Sequence, residues 1–164
     1  MLAPKLILSP IDFSDASLEA LQTATDIASK YGSEILLIHA VPVIPTLPPG
    51  VSILSEGPYE EKLIGSAEQH LADLASGIQQ KGVRTRTRIG LANDAAMEII
   101  RAAESEKVDL IVIATHGMTG WRRLAFGSVT EKVVRTANCP VLVIRAPVAA
   151  KPQSETAESE PAVA

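Results

Sequence analysis

Cysteine is nearly missing from this 164-residue chain, and Cys139 stands alone. A single thiol excludes an internal disulfide and a thiolate metal cluster and fits a reducing compartment; the simplest role for Cys139 is that of a small buried hydrophobe. Aromatic residues are equally scarce, 3% of a sequence that is 46% hydrophobic. The core is therefore expected to be aliphatic and layered, which suits an α/β protein. Long apolar runs are lacking too: Leu6 to Leu8 is followed at once by Ser9 and Pro10, too short for a signal-peptide core or a membrane span. The expectation is a cytoplasmic protein with no membrane partner. Clustered positive charge is also missing. The net charge is −4, and no lysine or arginine cluster is long enough to follow a phosphodiester backbone, which argues against nucleic acid as a partner. Finally, the G-x-S-x-G elbow, the G-x-x-x-x-G-K-[ST] loop and the G-x-G-x-x-G fingerprint are all absent, so hydrolase, motor NTPase and dehydrogenase readings lack their required parts.

What is present reads as alternating strands and helices. Lys5 to Ser9 and Ser33 to Val41 are apolar without polar alternation, as in strands buried on two faces. Between them Leu18, Leu21, Ala24, Ile27, Ala28 and Tyr31 recur at helical spacing, with Ser14 as N-cap and Gly32 as the stop. The proline-rich stretch Pro42 to Pro58 reads as a surface connection without regular structure. A second helix is expected from about Tyr59 to Lys81, with Leu63, Ile64, Ala67, Leu71, Leu74 and Ile78 on one stripe. Val83 to Ile89 alternates with Arg84, Arg86 and Arg88 and reads as an edge strand whose arginines stay solvated and block sheet-to-sheet association. Asn93 or Asp94 caps a third helix to about Ser105, with Ile99, Ile100 and Ala103 inward; Val108 to Ala114 is the fourth strand. Ser128 opens a fourth helix to Thr136, and Val141 to Ile144 is the last strand. Five strands alternating with four helices predict one parallel sheet covered on both faces, in a single domain of residues 1–146. Residues 147–164 shift to Ala, Pro, Ser and Glu and read as a disordered tail.

In an open α/β sheet the ligand crevice lies outside the carboxyl ends of the strands, where strand order reverses. Two segments suit it: Ser9-Pro10-Ile11-Asp12-Phe13-Ser14 after the first strand, and Ala114-Thr115-His116-Gly117-Met118-Thr119-Gly120 after the fourth. The second leads to Gly127-Ser128-Val129-Thr130-Glu131, where Ser128-x-x-Glu131 matches a capping box and the start of a helix favours an anion. Taken by itself, that pattern is equally a plain helix start.

The run Ala114-x2-Gly117-x9-Gly127-Ser128 resembles the universal stress protein signature G-x2-G-x9-G-[ST], with Ala114 in place of the first glycine. Pro10 to Ser14 resembles that family's first strand and turn, and Leu37-Ile38-His39-Ala40-Val41 its second strand end, so the similarity spans Lys5 to Ala146. It implies a Rossmann-like open sheet of order 3-2-1-4-5, ATP or a related adenine nucleotide (ADP, AMP) in the crevice, and a homodimer through the last strand. Carried over by position, Pro10, Asp12 and Ala40 line the adenine pocket, Ile113 and Ala114 lie near the adenosine, and Gly117, Gly127, Ser128 and Val129 contact the phosphates. Ile11, His116 and Thr130 complete the candidate set. Asp12 acts through its backbone or a polar contact, not as a catalytic acid. A role in the stress response follows from the same resemblance, with an unidentified downstream protein partner; a nucleotide-independent dimeric scaffold and a slow ATPase are the alternatives.

The remaining polar groups carry less. The three histidines His39, His70 and His116 show no ligand spacing, so no metal site of the protein's own is expected, although Mg2+ or Mn2+ can accompany a nucleotide. Arg122 and Arg123 are as well suited to a solvated rim as to a triphosphate, and Trp121 to anchoring its loop. No lysine follows the glycine loop and no general base is positioned, so hydrolysis is at most slow. Val141 to Ile144 is apolar on both faces at a sheet edge, which a second copy of the chain would cover.

Overall fold

Within each central strand, neighbouring apolar residues are sent to opposite sides, and that alternation builds the molecule. The computed structural model describes residues 3–43, 56–115 and 127–145, the side chains of 56–60 excepted. The elements run β1 (Leu6–Pro10), α1 (Asp15–Tyr31), β2 (Glu34–Val41), α2 (Glu56–Gln79), β3 (Thr85–Leu91), α3 (Ala95–Ser105), β4 (Leu110–Ala114), α4 (Ser128–Thr136) and β5 (Val141–Ile144). The five strands form one sheet of order β3-β2-β1-β4-β5 with every pairing parallel. Ile7, Ile35, Leu37 and Val112 meet Ala20, Leu21, Ala24 and Ala28 of α1 and Leu71, Ala75 and Ile78 of α2. Leu8, Leu36, Ile38, Ile111 and Ile113 meet Ala96, Ile99, Ile100 and Ala103 of α3 and Val133 of α4. The expected two-faced α/β sheet is thus what forms, and each of these buried leucines and isoleucines contributes about 1.5–3 kcal/mol.

The helix ends follow local chemistry. Ser14 caps α1, its side chain accepting from the Ser17 amide, and Gly32 ends it in the left-handed region at φ 71°. Asp94 caps α3 by accepting from the Met97 amide.

Several boundaries and contacts differ from expectation. The second helix begins at Glu56, inside the stretch expected to be irregular, because a proline such as Pro58 is tolerated in a first turn, where its missing N–H has no acceptor anyway. Leu18 and Tyr31 of α1 and Leu63 of α2 are exposed: the small residues Ala20, Ala24, Ala28 and Ala67 are buried instead and let the helices approach closely. The third strand is shifted to Thr85–Leu91 and the fourth begins only at Leu110. The arginine face of β3 is not simply solvated. Arg86 pairs with Glu34 (2.5 Å) and Glu106 (3.2 Å), and Arg88 with Glu98 (3.2 Å), so these side chains tie the edge strand to β2 and α3. Residues 44–55 of the proline-rich connection and the tail 147–164 lie outside the described residues.

Candidate functional site

The sheet parts where its winding reverses. β1 pairs with β4 only through Ile7–Leu110 and Leu8–Ile111. Beyond that point Ser9 and Pro10 stay with Leu37 and Ile38 of β2, while Val112 to Ala114 stay with β5. A proline at the end of β1 has no N–H to offer β4, and the chain continues along β2 with the Ile11 amide donating to the Ile38 carbonyl at 2.8 Å. The divergence opens a cavity of about 350 Å3 at the carboxyl ends of β1, β2 and β4, within the roughly 300–1,000 Å3 span of small-molecule pockets.

Its floor and walls are aliphatic: Pro10, Ile38, Ala40, Ile99 and Ile113 line it. Ala114 also lines it yet belongs to the core cluster on the α1 side and is 6% exposed. The methyl that replaces the signature's first glycine is therefore largely absorbed in packing.

The rim is polar. Asp12 accepts from the Ser14 amide (3.1 Å) and the Ser14 hydroxyl (2.5 Å). Ser14 in turn accepts from the Ser17 amide at 3.2 Å, and the Ser17 hydroxyl donates to the Ser14 carbonyl at 2.9 Å. The Asp12 carboxylate is thereby fixed at the start of α1, whose free amides favour a negative charge.

The opposite wall is the first turn of α4. Gly127 is its N-cap, with φ −69° and ψ 154° and no side-chain cap. This corrects the capping-box expectation: Ser128 is one residue too far along, inside the helix, and Glu131 pairs with Arg135 at 2.6 Å. The amides of Ser128, Val129 and Thr130 precede any intrahelical acceptor, so this end of the helix carries positive potential. Two hydrogen bonds hold it against β4: the Gly127 amide donates to the Thr115 carbonyl at 2.7 Å, and the Thr130 hydroxyl to the Ala114 carbonyl at 2.7 Å. Asp94 and Lys132 form an ion pair joining the start of α3 to α4. The Lys132 ammonium, with the Met97 amide, holds the Asp94 carboxyl below the ordinary aspartate range.

Ten of the candidate residues read from the sequence lie around this one cavity: Pro10, Ile11, Asp12, Ala40, Ile113, Ala114, Gly127, Ser128, Val129 and Thr130. His116 and Gly117 fall outside the described residues, as do Trp121, Arg122 and Arg123. Five lining residues were not foreseen: Ser17, Ile38, His39, Ala95 and Ile99. Ile38 was within reach, since it sits two residues before Ala40 on the same face of β2. Ala95 and Ile99 form an i, i+4 pair on α3, a helix whose position over the crevice only the tertiary fold sets. Among the described residues no three His, Cys, Asp or Glu side chains gather as metal ligands, and no helix is long and apolar enough to cross a membrane.

Known proteins resemble this chain in sequence and in fold. A universal stress protein of Methanocaldococcus jannaschii is 38% identical over 146 residues, covering 87% of this chain and 83% of its own. A universal stress protein from Thermus aquaticus is 34% identical over 141 residues, with 86% and 98% covered. Among solved structures, universal stress protein UspA from Lactobacillus plantarum superposes with a TM-score of 0.74 at 26% identity, over 86% of this chain and 97% of that one. The fold also recurs at 22% identity and a TM-score of 0.60 in a universal stress protein from Archaeoglobus fulgidus in complex with dAMP, covering 87% of this chain and 98% of that one. The model of the universal stress protein family matches residues 4–145, the span that holds the whole sheet and the cavity at its seam, and the chain belongs to that family.

Proposed function

We propose that the cavity holds an adenine nucleotide, ATP or its relatives ADP and AMP, and that occupancy regulates the protein's interactions under stress. The observation that carries this reading is the pairing of an aliphatic slot at the sheet's reversal point with the uncapped start of α4 in its wall. A flat, apolar base suits Pro10, Ile38, Ala40 and Ile113; phosphate oxygens suit the amides of Ser128 and Val129 and the Ser128 hydroxyl. Asp12, fixed on the rim, is placed to take a polar contact from the nucleoside. Gly117 is assigned to the phosphate side from the signature alone, and His116 from its place beside Gly117 in the sequence. Mg2+ or Mn2+ would arrive with the phosphates. The dAMP bound by the Archaeoglobus protein belongs to that protein; at 22% identity the likeness carries over the fold.

Chemistry beyond binding has little support. Among the described residues lining the cavity, Asp12 and His39 are the ones with titratable side chains, and both are engaged with neighbouring groups. Hydrolysis is therefore slow at most. We read the protein as cytoplasmic and as a homodimer through β5, the sheet edge on which Leu142 stands exposed.

Identifying the small molecules released on denaturing the purified protein, followed by calorimetry with Mg2+-ATP, tests the binding. Gly127 supplies a discriminating variant. Its φ of −69° is open to any residue, so Gly127→Val still folds, with a melting temperature lowered modestly because valine is a poorer N-cap than glycine, whereas a side chain between the helix start and a phosphate weakens ATP binding at least about tenfold. A protein that purifies empty and shows no heat with any adenine nucleotide is the scaffold instead.

A further inference from the structure

A group of three rings, of which His39 reaches the cavity wall, takes no part in the contacts assigned above. His39 of β2 bonds through Nδ1 to the carbonyl oxygen of Ile11 at 2.7 Å. A carbonyl has no proton to give, so Nδ1 is the protonated nitrogen and donates. Phe13 packs on the same imidazole with ring centroids 4.7 Å apart, and also meets His70 of α2 at 5.4 Å, nearly edge-on at 65°. Phe13 itself sits at φ 64°, a left-handed conformation that a bulky residue adopts only where its surroundings impose it. The hydrogen bond holds the residue two before it, and the rings hold its side chain. Between these two holds lies Asp12, with Ile11 on the cavity wall.

We infer that His39 and Phe13 are positioning residues for the ligand: they set the β1–α1 loop so that Ile11 and Asp12 face the base half of the slot. This rests on the nucleotide reading above. The phosphate half is set by different bonds, those joining Gly127 and Thr130 to the end of β4, and none of them involves the ring stack. Disturbing the stack therefore affects the nucleoside and leaves the phosphate contribution intact.

The test compares ATP and adenosine binding by calorimetry across wild type, His39→Leu, His39→Asn and Phe13→Gly, with melting curves to establish that each is folded. Leucine keeps the bulk and loses the donor. Asparagine places an amide N–H close to where Nδ1 stands. Glycine accepts the positive φ without strain, which offsets part of the core packing lost with the ring, and it gives a second variant whose folding does not depend on leucine at 39. His39→Leu and Phe13→Gly should each weaken ATP and adenosine by the same factor, about tenfold, and His39→Asn should return affinity to near wild type. Wild-type affinity in folded His39→Leu and Phe13→Gly overturns the inference while leaving the nucleotide reading standing. So does failure of asparagine to rescue, or a loss for ATP that adenosine does not share. A wild-type protein that binds neither ligand defeats the nucleotide reading, and this inference with it.

Discussion

Ser9 has a wholly buried hydroxyl with no hydrogen-bond partner among the described residues. Leaving such a group dry and unpaired costs free energy that its removal recovers. Ser9→Ala should therefore raise stability by about 1 kcal/mol, seen as a higher urea midpoint with an unchanged m-value; a lower midpoint would show that the hydroxyl has a partner after all. Asp94 gives a second expectation. Lys132 depresses its folded-state pKa below the unfolded value, so the pair's contribution is fully present above the unfolded aspartate pKa, about 3.9, and is lost as pH falls through the folded one. Titration of the Asp94 carboxyl by NMR should give a midpoint below that of a free aspartate, and Lys132→Met should move it up. At Cys139 the thiol is pushed up, chiefly by burial and further by Asp109, and its half-buried side chain packs beside the α3 cluster. It is less enclosed than its sequence context implied, yet it serves as the hydrophobe expected.

Among the elements, β3 and α3 depend on one another through Gly90. A methyl added there would lie 2.3 Å from Cγ of the buried Glu98, the carboxylate that receives Arg88. Gly90→Ala must therefore displace Glu98 from its partner, and we expect a loss of about 1–3 kcal/mol, measurable by thermal melting, with Gly77→Ala, where nothing lies within 4 Å, as the tolerated control. The arginine alternation on β3 was legible in the sequence because it has a period of two. Its partners were not, since Glu98 and Glu106 lie on an element the sequence could place on a face but not in register. The same limit explains the capping box. A serine followed three residues later by glutamate has the same spacing whether serine sits outside the helix or inside it, and only backbone angles at Gly127 decide.

For the molecule as a whole, the two-faced sheet could be read from apolar runs at Leu6–Leu8, Ile35–Ile38 and Ile111–Ile113, whereas the strand order came from resemblance, because local sequence carries no information on which strands are neighbours. Most of the candidate site was legible for the same reason, through a motif at fixed spacing. Its shape was not: the cavity exists because the β1–β4 ladder stops at Leu8 and Ile111, which is a matter of register. That short seam joins a three-stranded leaf, β3-β2-β1, to a two-stranded leaf, β4-β5, with α1 packed against both. A guest lodged at the top of the seam touches both leaves and acts as a rivet. Saturating ATP should therefore slow amide hydrogen exchange in Leu110 to Ile113 and in α1 together; exchange slowed only around residues 127–130 would mean that the leaves do not hinge. If they do, the protein's partners can read occupancy from the angle between two halves of a sheet, without ever touching the nucleotide.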